Sequence, residues 1–193
     1  MRATSSTLSR VFDHALLERM AAVNAAPVLN LLSDVHHPLQ ALADLLTVEQ
    51  LLGRIEGAKI AFVGEAHNVA RSLAEGCALL GAEFVIASPD GYGFDGADVR
   101  QVTDPAEAVA GADVVYAAGS TASLHAVAAA AEHHGAWSQT ALAVDQPCGT
   151  GLCFGCVVPV VGEAGTARHA RACVDGPVFR GDRVRWSELG EAR

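Results

Sequence analysis

Four of the five cysteines fall after residue 147, as Cys148, Cys153, Cys156 and Cys173, and three of them share one glycine-rich stretch, CGTGLCFGC. The spacing, C-x4-C-x2-C with a distant fourth cysteine, is the plant-type arrangement for a [2Fe-2S] cluster. Three thiolates from one loop can converge on a small inorganic core only if the backbone curls around it. Gly149, Gly151 and Gly155 permit that, and they allow N–H groups to face the sulfurs. Zinc is the competing metal, although its cysteine ligands usually come as two short knuckles rather than three in one loop and one apart. The expectation at this point is a metal centre on Cys148, Cys153, Cys156 and Cys173, shaped by the three glycines.

Other chemistry-bearing residues have plainer readings. Cys77, in AEGCALLG, sits in a helical pattern and reads as core packing. His36–His37 and His133–His134 are adjacent pairs, and neighbouring residues on a helix point in different directions. Asp34 suits a helix cap and Asp44 a buried hydrogen bond. The turn VGEAHN after AKIAF could present helix N–H groups to an anion, but it lacks the full G-x-G-x-x-G. Ser72, Ser88 and Ser120 have no triad context.

Net charge is −9 and Lys59 is the lone lysine, which excludes a nucleic-acid footprint. No apolar run reaches the roughly 18 residues of a membrane helix, and the first twenty residues lack an apolar signal core, so no membrane association and a cytoplasmic location are expected. That compartment disfavours a disulfide framework. From Glu163 onward arginines outnumber carboxylates, six to five, whereas the preceding part is strongly acidic, so the tail differs electrostatically from the body.

The elements that must position these residues follow from periodicity. Residues 10–25 and 37–53 carry apolar residues at helical spacing, and Gly53 closes the second as a C-cap. AKIAFVGEAHNVARSLAEGCALLGAEFVIASP reads as strand, turn, helix, strand, which is a βαβ unit. Asp104 or Pro105 opens a short helix, Val114 to Ala117 forms a third buried strand, and TASLHAVAAAAEHHG a further helix. After Trp137 the pattern turns to short strands and glycines. The expected fold is α/β: a Rossmann-like parallel sheet of about four strands flanked by helices over residues 1–136, followed by a small β-rich [2Fe-2S] domain over 137–193.

Two resemblances divide the chain. Residues 148–186, CGTGLCFGCVVPV…RACVDGPVFRGDRVRW, resemble the iron-sulfur domain of the dihydroorotate dehydrogenase electron-transfer subunit, and VVYAAGSTASLHAVAAAAEHHGAWSQ resembles the end of that family's nucleotide-binding domain. The family writes Cys-Gly-Pro where Ala118, Gly119 and Ser120 stand, and Ser-Leu-Glu where Ala141, Leu142 and Ala143 stand. Nothing in positions 1–110 is similar to its FAD-binding barrel. This resemblance implies cluster ligation by the four cysteines and electron relay to or from a flavoprotein catalytic subunit, with FAD or FMN on that partner chain, in pyrimidine-type metabolism.

The front half is similar to the aspartate/ornithine carbamoyltransferase family, through VLNLLSDVHHPLQALADLLTVEQ, IAFVGEAHNVARSLAEGCALLGAEFVIASPDGY and DPAEAVAGADVVYA. By that likeness His37 and Gln40, of His-Pro-x-Gln, touch the carbonyl of carbamoyl phosphate, and Asn68 lies near the amino-acid substrate. The family's Ser-x-Arg-Thr-Arg, Ser-Met-Gly and His-Cys-Leu-Pro segments are absent from this sequence. The two resemblances meet at residues 113–118, in a strand motif common to both. The leading expectation is thus a [2Fe-2S] electron-transfer protein, with a homo-oligomer possible. The alternative is a carbamoyltransferase-like transferase or amino-acid-binding module whose cluster is structural or sensing. A recombined product with no activity of its own is a third reading.

Overall fold

A computed structural model describes residues 6–96 and 99–189. Its centre is a six-stranded sheet in the order β10-β7-β6-β3-β4-β5, formed by β3 (Lys59–Val63), β4 (Glu83–Ala87), β5 (Arg100–Val102), β6 (Val114–Ala118), β7 (Trp137–Ala141) and β10 (Val178–Arg180). The pairings among β3 to β7 are parallel, and β10 runs antiparallel on the β7 edge. Parallel strands covered by helices on both faces read as near-continuous apolar runs, which is how KIAFV, EFVIA and VVYAA are composed once past Lys59 and Glu83 at the first two strand starts.

Alternation along the strands then supplies two cores. Ile60, Phe62, Ile86 and Val114 face α2 (Pro38–Leu52) and α3 (Asn68–Leu80), where Leu45, Val48 and Leu73 meet them. Ala61, Val85 and Val115 face α4 (Pro105–Val109) and α5 (Thr121–His133), with Val109, Leu124 and Val127 opposite. Local chemistry punctuates these helices. Asp104 caps α4 by accepting from Ala106 N at 2.9 Å, Ser120 caps α5 through Ser123 N at 3.2 Å, and Gly53 and Gly81 end α2 and α3 at φ of 70° and 72°.

Before the sheet, β1 (Thr7–Arg10) and β2 (Val28–Leu32) form a separate two-stranded parallel pair around α1 (His14–Ala22). After it, β8 (Val157–Val161) and β9 (Ala167–Arg171) form an antiparallel ribbon that leads into the single turn α6 (Ala172–Asp175). The ribbon is not set apart from the α/β core: Val158, Val160 and Ala170 are buried in the α4–α5 cluster, and Trp186 stacks on His125 of α5 with ring centroids 5.2 Å apart.

Mixed α/β architecture with a parallel sheet and flanking helices agrees with the sequence. The details differ in three places. The sheet has six strands rather than about four, because Trp137–Ala141 and Val178–Arg180, placed by pattern beyond residue 136, extend it by pairing with β6 and each other. The helix expected over 10–25 spans only His14–Ala22, since Asp13 caps it by accepting from Ala15 N, and the residues ahead of it form β1. The strand β2 was not anticipated; its five residues carry no clean alternation.

Candidate functional site

The residues His37, Gln40 and Asn68 come together where the N-termini of α2 and α3 meet the end of β2. Pro38 opens α2 at a position whose missing N–H costs nothing, and so leaves His37 as the flanking residue. The backbone N–H of His37 donates to Ser72 Oγ of α3 at 2.9 Å, which locks the two helices together. Its ring is less accommodated: Nδ1 is buried and has no partner among the described residues. Burial, followed by the positive charge of Arg10, holds the imidazole below its usual value and therefore neutral.

The two amides are engaged. Gln40 Nε2 donates to Asp44 Oδ1 at 2.9 Å, and Asp44 is pushed above the usual carboxylate range by burial, against the lowering effect of that bond. Asn68 Nδ2 donates to the Ser33 carbonyl at 2.6 Å, while its Oδ1 accepts from Val69 N at 2.8 Å. Asn68 thus fastens α3 to the turn after β2.

Ser33 is the hub of this junction and was not singled out by sequence reasoning. It is fully buried, and its Oγ lies 2.9 Å from His14 Nδ1 and accepts from His36 N at 3.1 Å. His36 Nε2 meets Glu75 Oε1 of α3 at 3.0 Å, and Asp34 Oδ1 accepts from His14 N at 3.1 Å, acting as an additional cap for α1. A serine in a Leu-Leu-Ser-Asp turn carries no local mark of such a role, because its partners come from segments up to thirty-five residues away.

The cysteines are arranged differently. Gly149 and Gly151 adopt φ of +65° and +82°, and the loop turns its N–H groups inward, with Thr150 N donating to Cys148 Sγ and Gly155 N to Cys153 Sγ, each at 3.4 Å. The backbone N–H of Thr150 foremost, and then that of Cys153, pull the Cys148 thiol down to about 5. Cys156 is buried, with its Sγ 3.4 Å from Cys173 Sγ. That shared hydrogen bond is the main cause of the raised Cys173 value. Cys77 is fully buried in α3 and pushed up to about 12 by burial and then by Asp44.

Comparison with known proteins decides between the two halves. A family model for the aspartate/ornithine carbamoyltransferase Asp/Orn binding domain matches residues 56–134, and one for the carbamoyl-P binding domain of the same family matches 2–50. The N-terminal region matches the aspartate/ornithine carbamoyltransferase family. A shorter stretch, 147–185, matches the iron-sulfur cluster binding domain of dihydroorotate dehydrogenase B. Among curated proteins, ornithine carbamoyltransferase of Bacillus subtilis (strain 168) is 42% identical over 121 residues, covering 55% of this chain and 38% of that protein. That of Hyperthermus butylicus is 45% identical over 130 residues, or 60% and 41%. Among solved structures, the Gloeobacter violaceus ornithine carbamoyltransferase aligns with a TM-score of 0.62 at 33% identity, covering 74% of this chain and 57% of that one. The Thermus thermophilus enzyme gives 0.57 at 40%, covering 59% and 42%. The chain spans about two-fifths of the length of these curated relatives.

These findings overturn the leading expectation. The relatives and solved structures named above are ornithine carbamoyltransferases, and they favour the alternative reading over a flavin-linked iron-sulfur carrier. The [2Fe-2S] cofactor, the FAD or FMN on a partner chain and the flavoprotein catalytic subunit fall with it. The physical reason lies in how the thiols group. A cluster needs several thiolates around one centre, but among the described residues no three His, Cys, Asp or Glu side chains are disposed to hold a metal ion. Direct sulfur contacts run between Cys148 and Cys153 and between Cys156 and Cys173, with only the charge of Cys148 reaching Cys173 from the other pair. Among the described residues no helix is long and apolar enough to cross a membrane.

Proposed function

We propose that this chain is a carbamoyltransferase-like module that binds carbamoyl phosphate and an amino acid, with the junction of β2, α2 and α3 as its ligand-facing surface. The observation that carries the reading is the buried, partnerless Nδ1 of His37, placed at the start of α2 inside residues 2–50, the stretch that matches the family's carbamoyl-P binding domain. A buried polar atom without a partner carries a desolvation cost of about 1–3 kcal/mol, so this ring is held in place by the surrounding fold and not by a hydrogen bond of its own at Nδ1. The neutral imidazole suits a carbonyl oxygen that gains negative charge as an amine attacks, because it can donate one N–H without bringing a competing charge.

Gln40 and Asn68 enter this reading in supporting roles. Gln40 steadies Asp44 beneath the helix start, and Asn68 holds the turn that presents Ser33 and His36. Carbamoyl phosphate and an amino acid such as L-ornithine are the ligands to try. Thermal-shift titration of the full chain is expected to show a rise in Tm with L-ornithine, increased by carbamoyl phosphate. His37→Ala is expected to abolish the carbamoyl phosphate increment and to retain the ornithine response. A Tm indifferent to both compounds at millimolar concentration rejects the proposal.

A further inference from the structure

The bond by which Gln40 steadies Asp44 also fixes Gln40 itself. The two residues stand one turn apart on α2, at the spacing that lets a glutamine amide reach a carboxylate, and Gln40 Nε2 donates to Asp44 Oδ1 at 2.9 Å. On an exposed helix such a pair adds little, and its members exchange freely with water. Asp44 is held more firmly than that. Its backbone carbonyl accepts from the hydroxyl of the buried Tyr116 of β6 at 2.9 Å, which ties this turn of α2 to the sheet. Its carboxyl lies close enough to Tyr116 and to Cys77 of α3 for its charge to raise both, after the effect of their own burial, and burial raises Asp44 as well.

A fixed carboxylate decides which way the amide turns. An ionised carboxylate can only accept, so Nε2 is the end of Gln40 that faces Asp44, and Oε1, on the other branch of the same planar group, faces away. Oε1 accepts from nothing among the described residues, and it is not sealed from solvent as His37 Nδ1 is. Side chains on a helix lean toward its N-terminus, which for Gln40 is where His37 stands. The start of α2 thus offers two neutral groups of opposite kind, an imidazole that can donate and an amide oxygen that can only accept. A carbamoyl group answers both, with an oxygen and an N–H on one carbon. An acetyl group has the same outline but carries a methyl where the amino group would be, and leaves Oε1 without a donor.

We propose that Asp44 is a positioning residue: by holding Gln40 Nε2 it turns Oε1 to the ligand, and so makes the junction select a carbamoyl over an acetyl group. This rests on the carbamoyl phosphate binding proposed above.

Isothermal titration of the full chain with carbamoyl phosphate and with acetyl phosphate tests it. The parent chain is expected to bind carbamoyl phosphate at least tenfold more tightly, because a site built to bond an N–H rejects the analogue that lacks it. Asp44→Asn keeps the shape but can either accept or donate, and no longer dictates which end of Gln40 faces it. The preference is expected to shrink to about threefold or less in this variant, with Tm retained. Gln40→Met, of similar length and without the amide, is expected to lose the preference in the same way. In the ¹⁵N-labelled chain the two Gln40 Nε2 protons, one bonded to a carboxylate and one not, are expected to be well separated in chemical shift without any ligand, and to draw together in Asp44→Asn. A purely structural Asp44 would change Tm and leave both the preference and the proton separation alone. Should the parent chain ignore carbamoyl phosphate, the proposed binding fails and the role of Asp44 with it. If the parent binds the two phosphates alike, if Asp44→Asn or Gln40→Met keeps the parent's preference, or if the Gln40 protons are the same in the parent and in Asp44→Asn, the role of Asp44 alone is overturned.

Discussion

The junction at Ser33 and the loop at residues 148–156 both gather polar side chains in a small space, and they do so by opposite means. At the junction, the side chains of His14 in α1, Asn30 in β2 and Asn68 in α3 and the His36 N–H converge on one buried hydroxyl and its carbonyl, so the arrangement exists only when the surrounding fold does. In the loop, sulfur accepts from an N–H two residues away, and the geometry is written into the glycines themselves. The lesson is that tight spacing in a sequence marks local order, whereas residues far apart mark the part of the molecule whose integrity depends on packing.

The largest effect belongs to the packing that holds the junction in place. Leu73 is fully buried and seats α3 on the sheet, the helix that brings Asn68, Ser72 and Glu75 to the junction. Leu73→Ala is expected to cost about 2–5 kcal/mol by removing transfer free energy and leaving a cavity. Chemical denaturation reads this directly. A loss below 1 kcal/mol would mean that α3 is held by its polar contacts instead.

Next comes the hub itself. Ser33→Ala leaves His36 N without its acceptor and removes the partner of the His14 ring, at a fully buried hydroxyl, and is expected to cost about 1–3 kcal/mol. Cys153→Ala, an exposed change within the loop, is expected to stay within about 0.5 kcal/mol. Equal costs for the two substitutions would erase the distinction between a fold-dependent and a locally ordered site.

A smaller effect follows from pH. His37 is held below 6.5 in the folded chain, so the unfolded chain binds its proton more readily. Its contribution to stability is complete above pH 6.5 and is lost as pH falls towards the folded value. The stability profile of His37→Gln is expected to lose this acid limb, and a variant profile parallel to the parent's would show that another group causes it.

How much of this was legible beforehand follows the same division. The apolar runs KIAFV and VVYAA mark a parallel sheet because burial on both faces leaves no polar alternation to confuse the reading. Asp104, Gly53 and Gly81 mark helix ends because capping is a local event. The helical pattern over residues 10–25 concealed β1, and β2 escaped notice, since short partly exposed strands have little periodicity to display. His37 and Asn68 were visible as residues of a recognisable motif, but the engagement of Asn68 with Ser33 was not, because nothing in either segment encodes the other. For the cysteines the spacing spoke most clearly and misled most. It shows that three sulfurs lie within reach of one another along the loop, not which sulfur faces which; the partner of Cys156 is set by where β9 delivers Cys173.

The smallest expected effect on stability is the most specific about chemistry. Cys148 and Cys77 are both free thiols with opposite surroundings. Hydrogen bonds from the loop backbone favour the charged sulfur and bring Cys148 down to about 5, so at pH 6.5 it stands mostly as thiolate. Burial disfavours charge at Cys77 and pushes it up to about 12. The thiolate is the nucleophile, so iodoacetamide at pH 6.5 is expected to alkylate Cys148 well before Cys77, with Cys77 reacting only on unfolding; peptide mass mapping over a time course reads the order. Thr150→Pro removes the N–H that lowers Cys148 and is expected to slow its alkylation at pH 6.5, with the rate recovering at higher pH. Were Cys148 silent until unfolding, or its rate unmoved in Thr150→Pro, the loop backbone would not be what activates its sulfur, and the contrast between a locally written site and a fold-dependent one would fail.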